Sequence, residues 1–434
     1  MTAPPAIYID TSGCAFNISD GEAMAGLLRR EGYRIVDDET EADLVILNTC
    51  TVKDRTFREF EKRWVSLRRA AGAARPVVLA GCIPKAYERL GRFDGAAAVG
   101  PASLSKLPEV VAGALQGRPL RRLAAADGEA RPRLPLLRRN PCVHILPIAR
   151  GCRSACAFCQ TRLARGRLAS FSPRDLLDQA RRALDEGVVE IWVTAQDTGA
   201  YGHDLGTTLP ELLGRLLDLS GEFKVRLGMS SPRWVREARD AYLDLLAHPK
   251  MFRFLHVPVQ SGSERVVRRM RRDGSVEDFL AIHEAFARRF PEGTLLTDLI
   301  VGYPTETESD FQATLDLVQR LRLPGINCSR FSPRPGTPAA ALPQLPPSVV
   351  AARSRLLTAS VRRISGEVHQ AWVGRNCWAL VDQRRADGRA IARTDAYRPV
   401  LVLGEVPLGR PVLLEIVRGE PFRFVGRPIR PVYS

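Results

Sequence analysis

The chain's 434 residues exceed what one ordinary hydrophobic core holds and predict two or three domains. Hydrophobic and charged contents of 45% and 26% are those of a globular protein, and no apolar run approaches the roughly 20 residues of a membrane-spanning helix, which excludes an α-helical membrane protein. Lys plus Arg outnumber Asp plus Glu by 64 to 48, a formal charge of +16 spread along the chain, which points to a polyanionic partner, nucleic acid foremost.

The opening "MTAPPAIYIDTSGC" lacks the basic-then-apolar order of a signal peptide, so a cytoplasmic location is expected. "AIYIDT" reads as a strand. "SDGEAMAGLLRREGY" reads as a helix with Ser19 or Asp20 as N-cap and Gly32 at its stop. "ADLVILNTC" is a near-continuous apolar run, as in a parallel strand buried on both faces. The basic helix "RTFREFEKRWVSLRRAAG", the strand "RPVVLAGC" and the helix "SLSKLPEVVAGALQG" follow. This alternation predicts a doubly wound α/β domain over residues 1–117. Residues 118–141, rich in Pro, Arg and Ala, read as a linker.

Over residues 142–369 the alternation resumes with strands at "VHILPIA", "EIWVTA", "KVRLGMSS", "FLHVPV", "TLLTDLIVG" and "GINCSRFS", separated by helical segments. That is a run of βα units forming a partial or full (β/α) barrel, whose site lies at the C-terminal ends of its strands. After the proline-rich "PRPGTPAAALPQLPP" and a long helix from residue 348, short strands alternate with Gly and Pro turns. Residues 370–434 thus predict a small all-β barrel.

In "ILPIARGCRSACAFCQTRLARGR" the spacing C-x3-C-x2-C places Cys152, Cys156 and Cys159 in a short loop just past a strand. A tetrahedral zinc site needs a fourth ligand, and the nearest options, Cys142 and His144, belong at the strand's other end. A cubane iron–sulfur cluster held by three thiolates keeps one iron open, and the amino and carboxylate groups of S-adenosylmethionine can chelate it. Cys14, Cys50 and Cys82 are remote in sequence, yet each ends a predicted strand of the first domain; in a parallel sheet those ends converge on one crevice. Cys142, Cys328 and Cys377 read as core or incidental thiols. Nine cysteines in a reducing compartment, an odd number, argue against a full disulfide set.

These stretches, with "TSGCAFNISDGE", "NTCTVKD", "AGCIPK", "TAQDTGAYG", "HVPVQSGSERVVRRM", "DLIVGYPTETESDF" and "NCSRFSPRPGTPAA" in this order, resemble the radical-SAM methylthiotransferases over essentially the full chain. The likeness is to the archaeal and eukaryotic type acting on N6-threonylcarbamoyladenosine at position 37 of tRNA, with a terminal domain similar to the TRAM RNA-binding module. The resemblance implies two 4Fe–4S clusters, one held by Cys152, Cys156 and Cys159 and the other, a sulfur-supplying cluster, by Cys14, Cys50 and Cys82. It implies two molecules of S-adenosylmethionine, one for the methyl group and one for a 5′-deoxyadenosyl radical. It further implies the anticodon loop of tRNA as partner, sulfide or polysulfide as sulfur donor, a one-electron reductant such as flavodoxin or ferredoxin, no membrane and a monomeric enzyme.

Several side chains follow predicted strands and gain roles from that likeness. Phe158, Gln196, Asp197, Gln260, Ser261, Asp298 and Gly302 are expected to contact the cofactor, Gly302 by letting an adenine lie against backbone. Arg162, Arg165 and Arg167 after the thiol loop, Arg330 and Arg334 at the mouth, and Arg393, Tyr397 and Arg398 in the β domain are expected to grip RNA. Two positions depart from the family pattern: Ser231 stands where an Asn is common, and Thr305 where a Gly is usual. Rival readings are isopentenyladenosine in tRNA or a ribosomal-protein aspartate as substrate, and, in another class, a non-catalytic iron–sulfur RNA-binding protein.

Overall fold

A computed structural model describes residues 3–51, 54–70, 75–88, 91, 93, 95–124 and 131–429. The first unit is a six-stranded all-parallel sheet, with Leu44–Thr49 and Val77–Gly81 at its centre and Ala6–Thr11 beside the former. Every residue of Leu44–Thr49 is buried because both faces are covered. Ile46 meets helices Ala15–Arg30 and Leu107–Leu115 on one side, whereas Val45 and Leu47 meet Phe57 and Phe60 of helix Asp54–Ala70 on the other. Helix Ala15–Arg30 begins four residues before the predicted start, with Cys14 in the N-cap position. Ser19 and Asp20, expected as caps, are instead buried inside it, where Asp20 pairs with Arg131 and Arg165.

Residues 118–141 differ from a linker wherever they are described. Arg121–Arg122 adds the sixth strand beside Ala98 and Val99. Leu134, Leu136 and Leu137 pack on the sheet's helical face, and Arg131 is buried against Asp20. The Arg residues that made this stretch look solvated are partly used as internal counter-ions. Val52 and Lys53 of "NTCTVKD" and the last residues of the chain lie outside the described residues.

The second unit sets six parallel strands in the order Val143–Pro147, Glu190–Thr194, Lys224–Leu227, Phe254–His256, Thr294–Val301 and Ile326–Arg330, the sequence order. The ladder from the first and second strands flanks Lys224–Leu227, which joins the second half through a single bridge, Val225 to Met251. Among the described residues no ladder pairs the first strand with the last, so the barrel is open. Alternation along Thr294–Val301 sends Leu295 and Leu299 to the helical core and leaves Leu296, Asp298 and Ile300 for the lumen. Ser275 with Asp278 and Thr307 with Asp310 form reciprocal caps that fix where two outer helices start.

The third unit is a closed five-stranded barrel over residues 376–428, entered through helix Pro347–Gln370. It docks under the open barrel: Arg253 N–H donates to the Asp395 carbonyl at 2.7 Å and Arg398 Nε to Thr294 Oγ1 at 3.2 Å.

Thr305 holds φ = +77°, a left-handed conformation that disfavours a β-branched residue, and its buried hydroxyl has no partner. The strain is kept because Arg265 donates to the Thr305 carbonyl at 2.7 Å and helix Glu308–Leu321 starts three residues later. Thr305→Gly is expected to stabilise the chain by about 1 kcal/mol, read as a higher midpoint in urea with an unchanged slope.

Candidate active site

Strand Val143–Pro147 and the short Ala149–Arg150 deliver the chain into the loop that carries the first three thiols. Each thiol there meets one donor. Ser154 N–H donates to Cys152 Sγ and Thr161 N–H to Cys159 Sγ, both at 3.4 Å. Arg272 Nη1 donates to Cys156 Sγ at 3.4 Å, while its Nη2 grips the Pro258 carbonyl at 2.9 Å. Burial pushes the Cys152 thiol up to about 11 and raises Cys156 as well, the latter against the opposing charge of Arg272. Thiols so placed lose their protons to a metal rather than to water.

The second three come together as well. A Cβ added at Gly13 would fall on Cys50, and Gly13 holds φ = +120°, so the Cys14 loop passes Cys50 at backbone distance. The hydrogen bond with Cys50 holds Cys14 down to about 6, against desolvation and with help from the Arg165 charge. Arg165 Nε donates to Cys82 Sγ at 3.3 Å. Asn17 ties the loops by donating to the carbonyls of Ser12 at 3.1 Å and Thr49 at 2.7 Å. Among the described residues no three Cys, His, Asp or Glu side chains converge on a single-ion site. Three thiolates are the donor set of a cubane that keeps one iron open, and each triad supplies three.

Helix Thr161–Arg165 connects the triads. It begins two residues after Cys159 and packs on helix Cys82–Ala86, and its five residues rise only about 6 Å from end to end. A cavity of about 460 Å³ opens at the start of this helix, lined by Thr51, next in sequence to Cys50, by Phe158, Cys159, Gln160 and Thr161, and by lumen residues His256, Gln260, Asp298, Ile300, Asn327, Ser329 and Phe331. Cys159 of one triad opens into this space, and the loop of the other triad reaches it at Thr51.

Of the residues expected to contact cofactor, Phe158, Gln260 and Asp298 line that cavity. Gln260 holds φ = +75°, a strained conformation at the lumen wall. Asp298 accepts from Asn327 Nδ2 at 2.6 Å and lies 3.1 Å from His256 Nε2; burial would raise its carboxyl, yet His256 and these hydrogen bonds hold it low. The others face elsewhere. Asp197 is buried and accepts from Ser231 N–H at 3.0 Å, Ser231 Oγ at 2.6 Å and Trp234 Nε1 at 3.1 Å, so it braces the neighbouring strand ends. Ser231, the first departure from the family pattern, thereby serves Asp197 rather than a substrate. Ser261 is fully buried against Thr314. Gly302 holds φ = +77°, and a Cβ there would meet Val350 at 2.7 Å, so helix Pro347–Gln370 already fills the space meant for an adenine. Gln196 is half-buried, with its Oε1 enclosed and without a partner, outside the cavity lining.

The arginines divide the same way. Arg330 is exposed at the cavity mouth, Arg334 is buried in the cavity wall, Arg167 is exposed and Arg162 half-buried. Arg165 is 2% exposed at its side chain, donates to Asn17 at 2.7 Å and Asp20 at 2.8 Å, and cannot reach a phosphate. Arg393, Tyr397 and Arg398 turn inward at the domain junction: Arg393 donates to Asp382 at 2.9 Å, Tyr397 stacks near Phe252 and Phe254, and Arg398 is 6% exposed. The barrel's most exposed aromatic is Trp378, which sequence reading passed over. Also passed over were Arg272 and Asn17, which no local motif marks. His144 is fully buried with both ring nitrogens unpartnered, and burial pushes it down to about 3, so it stays a neutral core residue. Cys142 is buried beside Gly409 of the β barrel, away from the thiol loop.

Residues 146–318 match the model of the Radical SAM superfamily, and residues 6–95 match that of Uncharacterized protein family UPF0004. A Threonylcarbamoyladenosine tRNA methylthiotransferase of Danio rerio is 39% identical over 432 residues, covering 98% of this chain and 78% of its own. Its Homo sapiens namesake is 37% identical, covering 98% and 74%. A Probable threonylcarbamoyladenosine tRNA methylthiotransferase of Pyrococcus horikoshii is 39% identical, covering 91% and 93%. The chain belongs to the threonylcarbamoyladenosine tRNA methylthiotransferase family. Among solved structures, the radical S-adenosylmethionine methyltransferase TsrM of Kitasatospora setae, with cobalamin and a 4Fe–4S cluster bound, shares the fold at a TM-score of 0.56 and 15% identity, covering 78% of this chain and 74% of its own. For this methylthiotransferase family member, the superfamily match takes in the first thiol loop and the second match takes in Cys14, Cys50 and Cys82.

Proposed function

We propose that this chain is a radical S-adenosylmethionine methylthiotransferase that converts N6-threonylcarbamoyladenosine at position 37 of tRNA to its 2-methylthio form. The observation that carries the reading is the cavity lined by Cys159 of one triad and by Thr51, the residue that follows Cys50 of the other. An aromatic C–H bond does not yield to a side-chain base, so a hydrogen atom must be removed with the incoming sulfur already close by. When bound, the two 4Fe–4S clusters supply that chemistry, one cleaving S-adenosylmethionine on reduction and the other presenting sulfur.

The chain's own residues do the rest. Cys152, Cys156 and Cys159 would hold the first cluster, with Arg272 and two backbone N–H groups stabilising their charge. Cys14, Cys50 and Cys82 would hold the second, next to the Arg165 guanidinium. Phe158, Gln260 and Asp298 would position cofactor and substrate in the cavity. Arg330 at its mouth, and Arg162 and Arg167 after the thiol loop, with the excess positive charge, suit an RNA backbone. Sulfide or polysulfide as donor, a flavodoxin- or ferredoxin-type reductant and a cytoplasmic monomer complete the reading. No helix of the described residues is long and apolar enough to cross a membrane.

Mass spectrometry of tRNA nucleosides from cells carrying the intact chain, Cys156→Ala or neither tests this. Methylthio-threonylcarbamoyladenosine is expected only with the intact chain. A mass gain on isopentenyladenosine, or none on any nucleoside, would overturn the substrate.

A further inference from the structure

Below the active-site cavity lies a second, of about 470 Å³, between the lower half of the open barrel and the closed one. Asn327 and Ser329 line both, so the two are adjoining chambers of one lumen. The lower chamber's described lining holds no Asp or Glu, yet it holds two guanidinium groups, Arg226 and Arg398.

Arg226 stands over the rings of Phe254 at 5.3 Å, Tyr397 at 5.6 Å and Trp192 at 5.9 Å. Its Nε is enclosed without a partner, and among the described residues it forms no ion pair. Arg398 spends Nε on Thr294 and Nη2 on the Glu292 carbonyl at 3.3 Å, leaving Nη1 buried and unpartnered. The carboxylates nearby are engaged: Asp382 with Arg393, Glu190 with Trp192, and Glu292, whose charge acts on Arg398, with Arg375. Three other buried arginines meet carboxylates, Arg131 and Arg165 at Asp20 and Arg353 at Glu306. A desolvated guanidinium without an anion is costly, and a planar fork of donors matches a carboxylate in two parallel bonds.

The chamber is reached from the reaction site. The Phe254 ring under Arg226 lies 6.5 Å from the His256 ring, and His256 contacts Asp298 in the upper cavity. An adenine held above would extend its N6 substituent downward along this wall.

We propose that the lower chamber is a carboxylate site, and that the anion it receives is the free carboxylate of the threonylcarbamoyl group, with Arg226 as the specificity-determining residue. This rests on the proposed substrate and deepens it. An isopentenyl group has no charge to offer, so the same pair of guanidiniums would disfavour it.

The test measures binding by fluorescence anisotropy with the reconstituted protein. The probes are anticodon stem-loop RNAs whose position 37 carries threonylcarbamoyladenosine or its carboxyl methyl ester. The wild-type chain is expected to bind the acid about 10- to 100-fold more tightly than the ester. Arg226→Met, which keeps the stem packed on the rings, is expected to bring that ratio to about one, and Arg226→Lys to leave part of it. Melting curves show that each variant is folded. A folded Arg226→Met chain with the wild-type ratio would overturn the carboxylate site alone. A wild-type chain that binds neither RNA overturns the tRNA substrate and this inference with it. A wild-type chain without the acid preference, but whose melting temperature rises with free malonate in an Arg226-dependent way, places a free carboxylate there and overturns the substrate assignment.

Discussion

Arg165→Met is expected to lower the stability of the folded chain by about 3–5 kcal/mol, the cost of removing one partner from a buried ion network. Arg165 and Arg131 share Asp20, at 2.8 and 3.2 Å, and all three side chains are 5% exposed or less. Without Arg165 the Asp20 Oδ2 and the Asn17 Oδ1 lose their donors, and Arg131 on Oδ1 cannot supply both. The guanidinium also lies over the Phe16 ring at 4.2 Å, a cation–π contact that methionine loses, so the loss is mainly electrostatic. Arg165→Lys restores the charge without the fork and is expected to recover only part of the loss. Urea denaturation reads both. Since Arg165 is also the donor to Cys82, the variant that folds is further expected to load less iron at the N-terminal triad than at the other. Wild-type stability in Arg165→Met would contradict the network.

The same residue shows where sequence reading stops. In "RLARGR" three arginines look alike, yet Arg167 is exposed, Arg162 half-buried and Arg165 enclosed. What separates them is the docking of helix Cys82–Ala86 from another domain, which no local pattern encodes. Arg393, Tyr397 and Arg398 mislead in the same way, because a basic and aromatic turn reads as an RNA surface until the closed barrel is placed under the open one. The thiols were legible for opposite reasons. One triad is a local spacing. The other follows from topology, since parallel strands bring the residues after Thr11, Thr49 and Gly81 to one edge of the sheet. The barrel strands came from apolar runs between helical segments, whereas their order and the alternation along Thr294–Val301 emerged in the structure. Asp20 and Arg272 were not legible, because their partners lie in distant segments of the chain.

The largest effect falls on iron content when each triad is removed as a unit. Three thiolates hold a cubane and leave one iron open, so a single alanine can be partly compensated by water or a small thiol, whereas a triple replacement cannot. Because Cys152, Cys156 and Cys159 take their donors from Ser154, Thr161 and Arg272, and Cys82 takes its donor from Arg165, neither site needs the other's thiols to be built. Anaerobic reconstitution followed by iron and sulfide analysis therefore tests the account most directly. About eight irons per chain are expected for wild type, and about four both for the Cys152, Cys156 and Cys159 triple alanine variant and for the Cys14, Cys50 and Cys82 one. A wild-type chain that takes up only about four irons, or an N-terminal triple variant that keeps the wild-type amount, would contradict the two-cluster site.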